Sequence, residues 1–160
     1  MAIRVQREDF DIGAELAALT DGDTGIGGLC SFVGLVRDLH PDAGETAGTV
    51  HALTLEHYPG MTERQLAAIE AQAHARWPLR RCLIIHRYGR LEPGERIVLV
   101  AAASAHREAA FLACQFLMDW LKTKAPFWKL EDTASGDRWV ASRDGDQQAA
   151  LSWSPDGNSP

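Results

Sequence analysis

The sequence predicts an α+β fold built on a largely antiparallel sheet. Three observations point there. The chain has 160 residues, 46% of them hydrophobic, enough for one core without a disulfide or metal staple. Apolar runs of strand length mix with helical patterns, but without the regular strand–helix repeat of a parallel sheet. One long segment, residues 104–122, is apolar on nearly every side (Phe111, Leu112, Phe116, Leu117, Trp120, Leu121) and reads as a central or interfacial helix.

Each element follows from local chemistry. Residues 3–5 are a short apolar start, an edge strand. Asp11 can cap a short helix over residues 12–19. Residues 20–28 are turn formers, and residues 29–36 are an apolar strand. Residues 38–48 are polar with Pro41, Gly44 and Gly48, which predicts a mobile loop. Residues 49–57 read as a strand that Tyr58-Pro59-Gly60 breaks. Thr62 then opens a helix, with Gln65 completing a capping-box pattern. Leu66, Ile69, Ala73 and Trp77 form its apolar stripe, and Pro78 ends it.

Residues 82–85 are a buried strand, residues 88–94 a turn region, and residues 97–102 a second continuous apolar strand. Ser104 can cap the long helix. Pro126 interrupts the chain. Residues 127–131 and 138–141 flank Ser135-Gly136-Asp137 as a hairpin, and residues 144–151 form a last helical turn or two. Residues 152–160 (SWSPDGNSP) are turn formers, expected to be a disordered tail behind a single domain of residues 1–151.

Composition excludes several function classes. A formal net charge of −6 argues against a general nucleic-acid binder. No run of about 18 apolar residues is present to cross a membrane. The first residues, MAIRVQREDFD, carry charges where a signal peptide needs its apolar core, so a cytoplasmic protein is expected. Cys30, Cys82 and Cys114 are odd in number and widely spaced, which fits neither a disulfide framework nor a zinc knuckle.

The charge distribution says more than its total. The only lysines are Lys122, Lys124 and Lys129, inside one eight-residue stretch; the other thirteen basic residues are arginines. From Ser104 to Lys129 four cations face two carboxylates, a local +2 that leaves −8 on the rest of the chain. A locally basic segment in an acidic chain fits an anionic ligand or an acidic partner better than a chance cluster on a solvated face. Lysine differs from arginine in being a compact ammonium that gives up a proton more readily.

Several groups are candidates for chemistry. The GIGG of residues 25–28 lacks a following Lys-Ser/Thr and precedes a strand, so it reads as a turn rather than a phosphate loop. The six histidines show no metal-binding spacing. His106-Arg107 fall in the first turn of the long helix, where free N–H groups and a guanidinium suit a phosphate or carboxylate; a surface arginine paired with Glu108 fits as well. In the segment LKTKAPFWKLE, Lys122 ends the long helix, Pro126, Phe127 and Trp128 make an aromatic-walled turn, and Lys129 follows. Such lysines can serve in proton transfer. Lys124 reads equally as a solvated charge. Arg37, at the mouth of the polar loop, is placed to reach an anion.

These residues lie within strings that resemble the large, catalytic subunit of molybdopterin synthase. The strings are FVGLVRD (residues 32–38), LEHYPGMTE (55–63), RWPL (76–79), IIHRYGRLEPGE (84–95), SAHREAAF (104–111), MDWLKTKAPFWK (118–129) and GDRWV (136–140). The resemblance spans residues 25–150. It implies an α+β hammerhead fold and a homodimer at the centre of a heterotetramer. Each large subunit binds a small ubiquitin-like sulfur-carrier protein, whose C-terminal Gly-Gly thiocarboxylate enters a pocket. Two sulfurs pass in turn to cyclic pyranopterin monophosphate, making the molybdopterin dithiolene of the molybdenum cofactor. By motif match, Lys122 and Lys129 are the principal catalytic residues. Arg37, His106, Arg107, Phe32, Met118 and Arg138 match substrate-binding positions, and Glu131 matches a further family position. The sequence departs from the family at Leu35, where a lysine is common, and in the tail from Ser152.

The residues suit that chemistry. Arg37, His106 and Arg107 can hold a monophosphate. Lys122 can hold the thiocarboxylate and steady the oxyanion formed at its acyl carbon, and Lys129 can bind the pterin or move protons to the leaving oxygen. No metal or other cofactor is required, and the carrier tail is expected to lie extended in a groove. Two other classes stand beside this one. A binding module would use the basic segment only to dock an acidic partner, and a phosphoester hydrolase would need a base or metal set that the sequence lacks. His106 and Lys122 are sixteen helical steps apart, roughly 24 Å, with no Pro or Gly between Phe111 and Leu121. A pterin monophosphate spans only on the order of 10 Å, so the pocket is expected to be shared between two copies.

Overall fold

The computed structural model describes residues 3–37, 50–124, 127–133, 136–140 and 144–153. The chain runs β1 (Ile3–Gln6), α1 (Ile12–Thr20), β2 (Gly28–Leu35), β3 (Val50–His57), α2 (Met61–Arg76), β4 (Leu79–Arg87), β5 (Gly89–Leu91), β6 (Arg96–Ser104), α3 (Arg107–Lys124), β7 (Phe127–Thr133), β8 (Gly136–Val140) and α4 (Asp144–Leu151). The polar loop expected at 38–48, Pro126, Ser135 and the tail from 154 lie outside the described residues.

The architecture is mixed α+β, with two four-stranded sheets where the sequence predicts one. The first has the order β1-β4-β6-β2, the second β5-β3-β7-β8. Every described pair is antiparallel except β1 with β4, so the first sheet is mixed.

The continuous apolar runs of β4 and β6 are explained by burial on both faces. Side chains alternate along a strand. Cys82, Ile84, Val98, Val100 and Ala102 face a core shared with Leu66, Ile69 and Ala73 of α2 and with Phe116 and Leu117 of α3. Leu83, Ile85, Leu99 and Ala101 face the other way, against Phe10 and the α1 side chains Ile12, Leu16 and Leu19. A third cluster joins the two sheets: Val36, Leu53, Leu55 and Leu91, with Tyr88 and Ile97 against it.

Local signals hold in places. Asp11 caps α1, its Oδ1 accepting from the Ala14 N–H at 2.8 Å. The GIGG is a turn before a strand, as expected. Its third residue must be glycine, because a Cβ on Gly27 would fall 2.2 Å from the Ala105 carbonyl oxygen.

Other expectations are corrected. The cap of α2 is Gly60 (φ +81°), whose N–H donates to Glu63 Oε2 at 2.6 Å. Thr62 is buried instead, its Oγ1 accepting from the Tyr58 N–H. Ser104 is not a helix cap. It is the buried last residue of β6, and its hydroxyl donates to the Pro78 carbonyl at 3.0 Å, so α3 starts at Arg107. The turn region at 88–94 contains a strand, β5, too short to show a pattern and set by pairing Gly89–Leu91 with residues 53–55. The expected hairpin is tighter than its sequence suggests: Thr133 pairs with Gly136, so Gly136 and Asp137 belong to β8 rather than to the turn.

Helix α3 is amphipathic rather than apolar all round. Eight of its residues are buried, while Arg107, Glu108, Phe111, Gln115, Lys122 and Lys124 are exposed. The expected tail is docked at its start. Trp153 packs edge-on against Trp77 and Phe116, an anchor that turn-former composition alone does not reveal.

Candidate active site

Two strand ends and one helix end meet at one side of the molecule. Strand β2 starts beside the start of α3, where a Cβ on Gly28 would lie 3.4 Å from the Arg107 Cα. Strand β6 is antiparallel to β2, and the chain reverses at 105–106 into α3, so β2 and α3 run the same way. Eight strand residues cover about 23 Å, and the fifteen steps from Arg107 to Lys122 cover about 22 Å. Arg37, just beyond β2, and Lys122 therefore lie at the same end. Both are exposed.

The backbone before Arg37 is pinned. The Val36 N–H donates to the Glu95 carbonyl at 2.9 Å, and the Gly94 N–H donates to the Val36 carbonyl at 2.6 Å. The Val36 side chain is buried in the cluster with Leu55. Leu55 pairs with Lys129 in the register of β3 and β7. The backbone position of Lys129 is thus tied to the element that ends in Arg37. Arg138 pairs with Glu131 on the next strand out. The side chains of Lys129, Glu131 and Arg138 lie outside the described residues.

His106 and Arg107 lie at the opposite end of α3. Gly27, Ala105, His106, Arg107, Glu108 and Phe111 line an open pocket of about 680 Å³. The first N–H groups of α3 and the Arg107 guanidinium sit where an anion is favoured. Glu108 lines the same pocket. Phe111 is 59% exposed there, a large apolar ring open to solvent.

Phe32 and Met118 are not gathered with these groups. Phe32 is 44% exposed on β2, opposite Val100 of β6. Met118 is 8% exposed, within the core cluster of α2 and α3. Lys124 is exposed with its Nζ 5.3 Å from the centre of the Trp120 ring, a surface cation resting on an aromatic face.

The structure adds residues around Phe127 that sequence reasoning missed. The His86 ring stacks on Phe127 with centroids 3.6 Å apart and planes at 17°. His57 lies 6.4 Å from Phe127 on another side and 4.2 Å from Tyr88. The available signal was His86 inside IIHRYG, a histidine directly after the apolar run of residues 82–85.

Neither Cys82 nor Cys114 is a nucleophile at neutral pH. Burial pushes the Cys82 thiol up to about 12 and raises Cys114 as well. Such thiols stay protonated and inert. Among the described residues, no group of three or more His, Cys, Asp or Glu converges to hold a metal ion, and no helix is long and apolar enough to cross a membrane.

Comparison with known proteins covers nearly all of the chain. A family model described as MoaE protein matches residues 5–124. The molybdopterin synthase catalytic subunit of Pseudomonas aeruginosa is 60% identical over 153 residues, spanning 96% of this chain and 99% of that one. The solved structure of the molybdopterin biosynthesis MoaE protein from Burkholderia ambifaria superposes with a TM-score of 0.78 at 49% identity, covering 96% of this chain and 98% of the other. A complex of subunits 1 and 2 of the molybdopterin-converting factor from Helicobacter pylori shares the fold, with a TM-score of 0.71 at 17% identity over 89% and 92% of the two chains.

Proposed function

This chain belongs to the MoaE protein family of molybdopterin synthase catalytic subunits, and on that premise we propose which of its residues carry the sulfur transfer and how. The reaction moves sulfur from the thiocarboxylated C-terminus of a small ubiquitin-like carrier to cyclic pyranopterin monophosphate, forming the dithiolene. The carrier is the chain's partner in the complex.

The residue assignment is supported by Arg37 and Lys122 following the same end of β2 and α3, and by the backbone of Lys129 being linked to Arg37 through Leu55 and Val36. Fixed cations at that end suit two anionic reactants that must be brought together. Lys122 holds the thiocarboxylate and steadies the oxyanion that forms at its acyl carbon. Lys129 binds the pterin or passes protons to the leaving oxygen. Arg37 takes the phosphate. Arg138 and Phe32 take their substrate-binding role from the family resemblance alone, and Met118, buried in the core one turn before Lys122, shapes the helix beneath it. No step runs through a cysteine persulfide at Cys82 or Cys114, whose thiols are held protonated.

His106 and Arg107 join this pocket from a second copy. Helix α3 is unbroken from Arg107 to Lys124, so its two ends are about 25 Å apart and one copy does not offer both to one small ligand. The helix length supports a homodimer, and the family resemblance adds to the proposal the surrounding heterotetramer, a hammerhead-type fold of one domain over residues 1–151, and a cytoplasmic location.

The test is reconstitution. The chain is incubated with thiocarboxylated carrier and cyclic pterin, and the dithiolene product is read. Product formation that Lys122→Ala removes, with the carrier complex intact, supports the enzyme reading. A Lys122→Ala loss that merely tracks weaker complex formation would reduce the basic segment to a docking surface.

A further inference from the structure

We infer that His86 is a positioning residue for Lys129, acting through the ring of Phe127; the inference rests on the role proposed above for Lys129. His86 is the next-to-last residue of β4 in the first sheet, and Phe127 is the first residue of β7 in the second. Their near-parallel stack at 3.6 Å is therefore a joint between the sheets. Across β7, Phe127 pairs with His57, whose ring is 6.4 Å away at 30°. Phe127 is held by one histidine from each sheet.

The bed beneath that joint is rigid. His86 is 5% exposed, and its Nδ1 lies 2.8 Å from the Arg87 carbonyl oxygen, so Nδ1 carries the proton. The Arg87 guanidinium is buried and donates to the carbonyl oxygens of Arg7 and Arg96, each at 3.0 Å. The Tyr88 N–H donates to the Gln6 carbonyl at 3.0 Å. The end of β4 is thus tied to two other segments, the end of β1 and the start of β6, before it meets Phe127.

Lys129 is two residues beyond Phe127, opposite Leu55. Only residues 125 and 126 separate the end of α3 from the start of β7, so the stack fixes where the strand begins. A strand that starts one residue early or late turns every side chain to its other face. The stack thereby selects the register in which Lys129 lies opposite Leu55. A direct chemical role for the His86 imidazole is disfavoured by its burial.

The test uses the full chain with thiocarboxylated carrier and cyclic pterin, both saturating. His86→Ala is expected to lower kcat roughly 10–100-fold, the scale of a small misplacement of a reacting group. KM for both reactants should stay within about twofold, and amide hydrogen exchange over residues 127–131 should quicken. His86→Phe should restore most of kcat and of the protection. Should His86→Ala fail to fold, Phe127→Leu carries the same expectation. Unchanged kcat in a folded His86→Ala overturns the inference. So does a kcat loss that His86→Phe leaves unrepaired while exchange at residues 127–131 is normal. If the wild-type chain makes no product, the sulfur-transfer reading fails, and the exchange measurements still decide whether His86 holds the strand.

Discussion

Trp153 donates its indole N–H to the Asp119 carboxylate at 2.8 Å, joining the segment after α4 to the last turns of α3. The ring sits edge-on to Phe116 and Trp77, and α4 leads up to it. Trp153→Ala is expected to destabilise the fold by roughly 2–4 kcal/mol, somewhat below the range for a fully buried tryptophan. Trp153→Phe should lose less, keeping the packing but not the hydrogen bond. Truncation after Trp153 should leave the thermal midpoint near wild type, and truncation after Leu151 should lower it. Equal midpoints for the two truncations would show that the indole anchors nothing.

The three lysines should separate in a mutant series. Lys122→Ala and Lys129→Ala are expected to reduce sulfur transfer to near background with the fold intact by circular dichroism. Lys124→Ala should be far milder, because that ammonium rests over Trp120 at the surface. Lys122→Arg should stay inactive, since a guanidinium does not exchange a proton readily. An essential Lys124 with a dispensable Lys122 would reverse the assignment.

Much of the fold was legible in the chain. Asp11 before an apolar run marked α1, and the buried strands at 82–85 and 97–102 stood out because both of their faces are covered. What escaped was settled by distant partners. Gly89–Leu91 is a strand only because residues 53–55 lie alongside it. Ser104 has the right chemistry for a cap, yet the Pro78 carbonyl claims its hydroxyl. Phe111 and Leu112 made α3 look apolar all round, although Phe111 is exposed. Of the candidate site, the cations were visible as a lysine cluster in an arginine-rich chain. The opposite placement of His106-Arg107 and Lys122 was readable from helix length alone. The stack around Phe127 was not, because it joins three segments whose spacing in sequence carries no pattern.

A pocket shared between two copies predicts complementation. Arg107→Ala and Lys122→Ala subunits, each inactive alone, are mixed and reassembled. Mixed dimers should regain one working pocket of two. Mixed dimers that form and stay inactive under saturating carrier and pterin would confine each pocket to one subunit.

Acid sensitivity should trace in part to Asp9. The Arg96 guanidinium hydrogen-bonded to Asp9 holds its carboxyl at about 2, below the ordinary 3.8. A carboxyl with a lowered folded-state pKa stabilises the fold above its unfolded pKa and loses that contribution as pH falls through the folded value. The loss belongs between about pH 4 and pH 2. Denaturant midpoints at both ends of that window should fall less steeply for Asp9→Asn than for wild type. Parallel slopes would assign the acid limb to other groups.

The two backbone hydrogen bonds that join Val36 to Glu95 and Gly94 give Arg37 a remote dependency. One of the residues that holds the backbone next to it is a turn glycine some 57 positions further along the chain, Gly94, with φ +89°. Any other residue at Gly94 strains that turn. On the role proposed for Arg37, such a lesion would surface as weakened phosphate capture in a protein that still folds, so inherited variation in a turn remote in sequence would read as a binding defect.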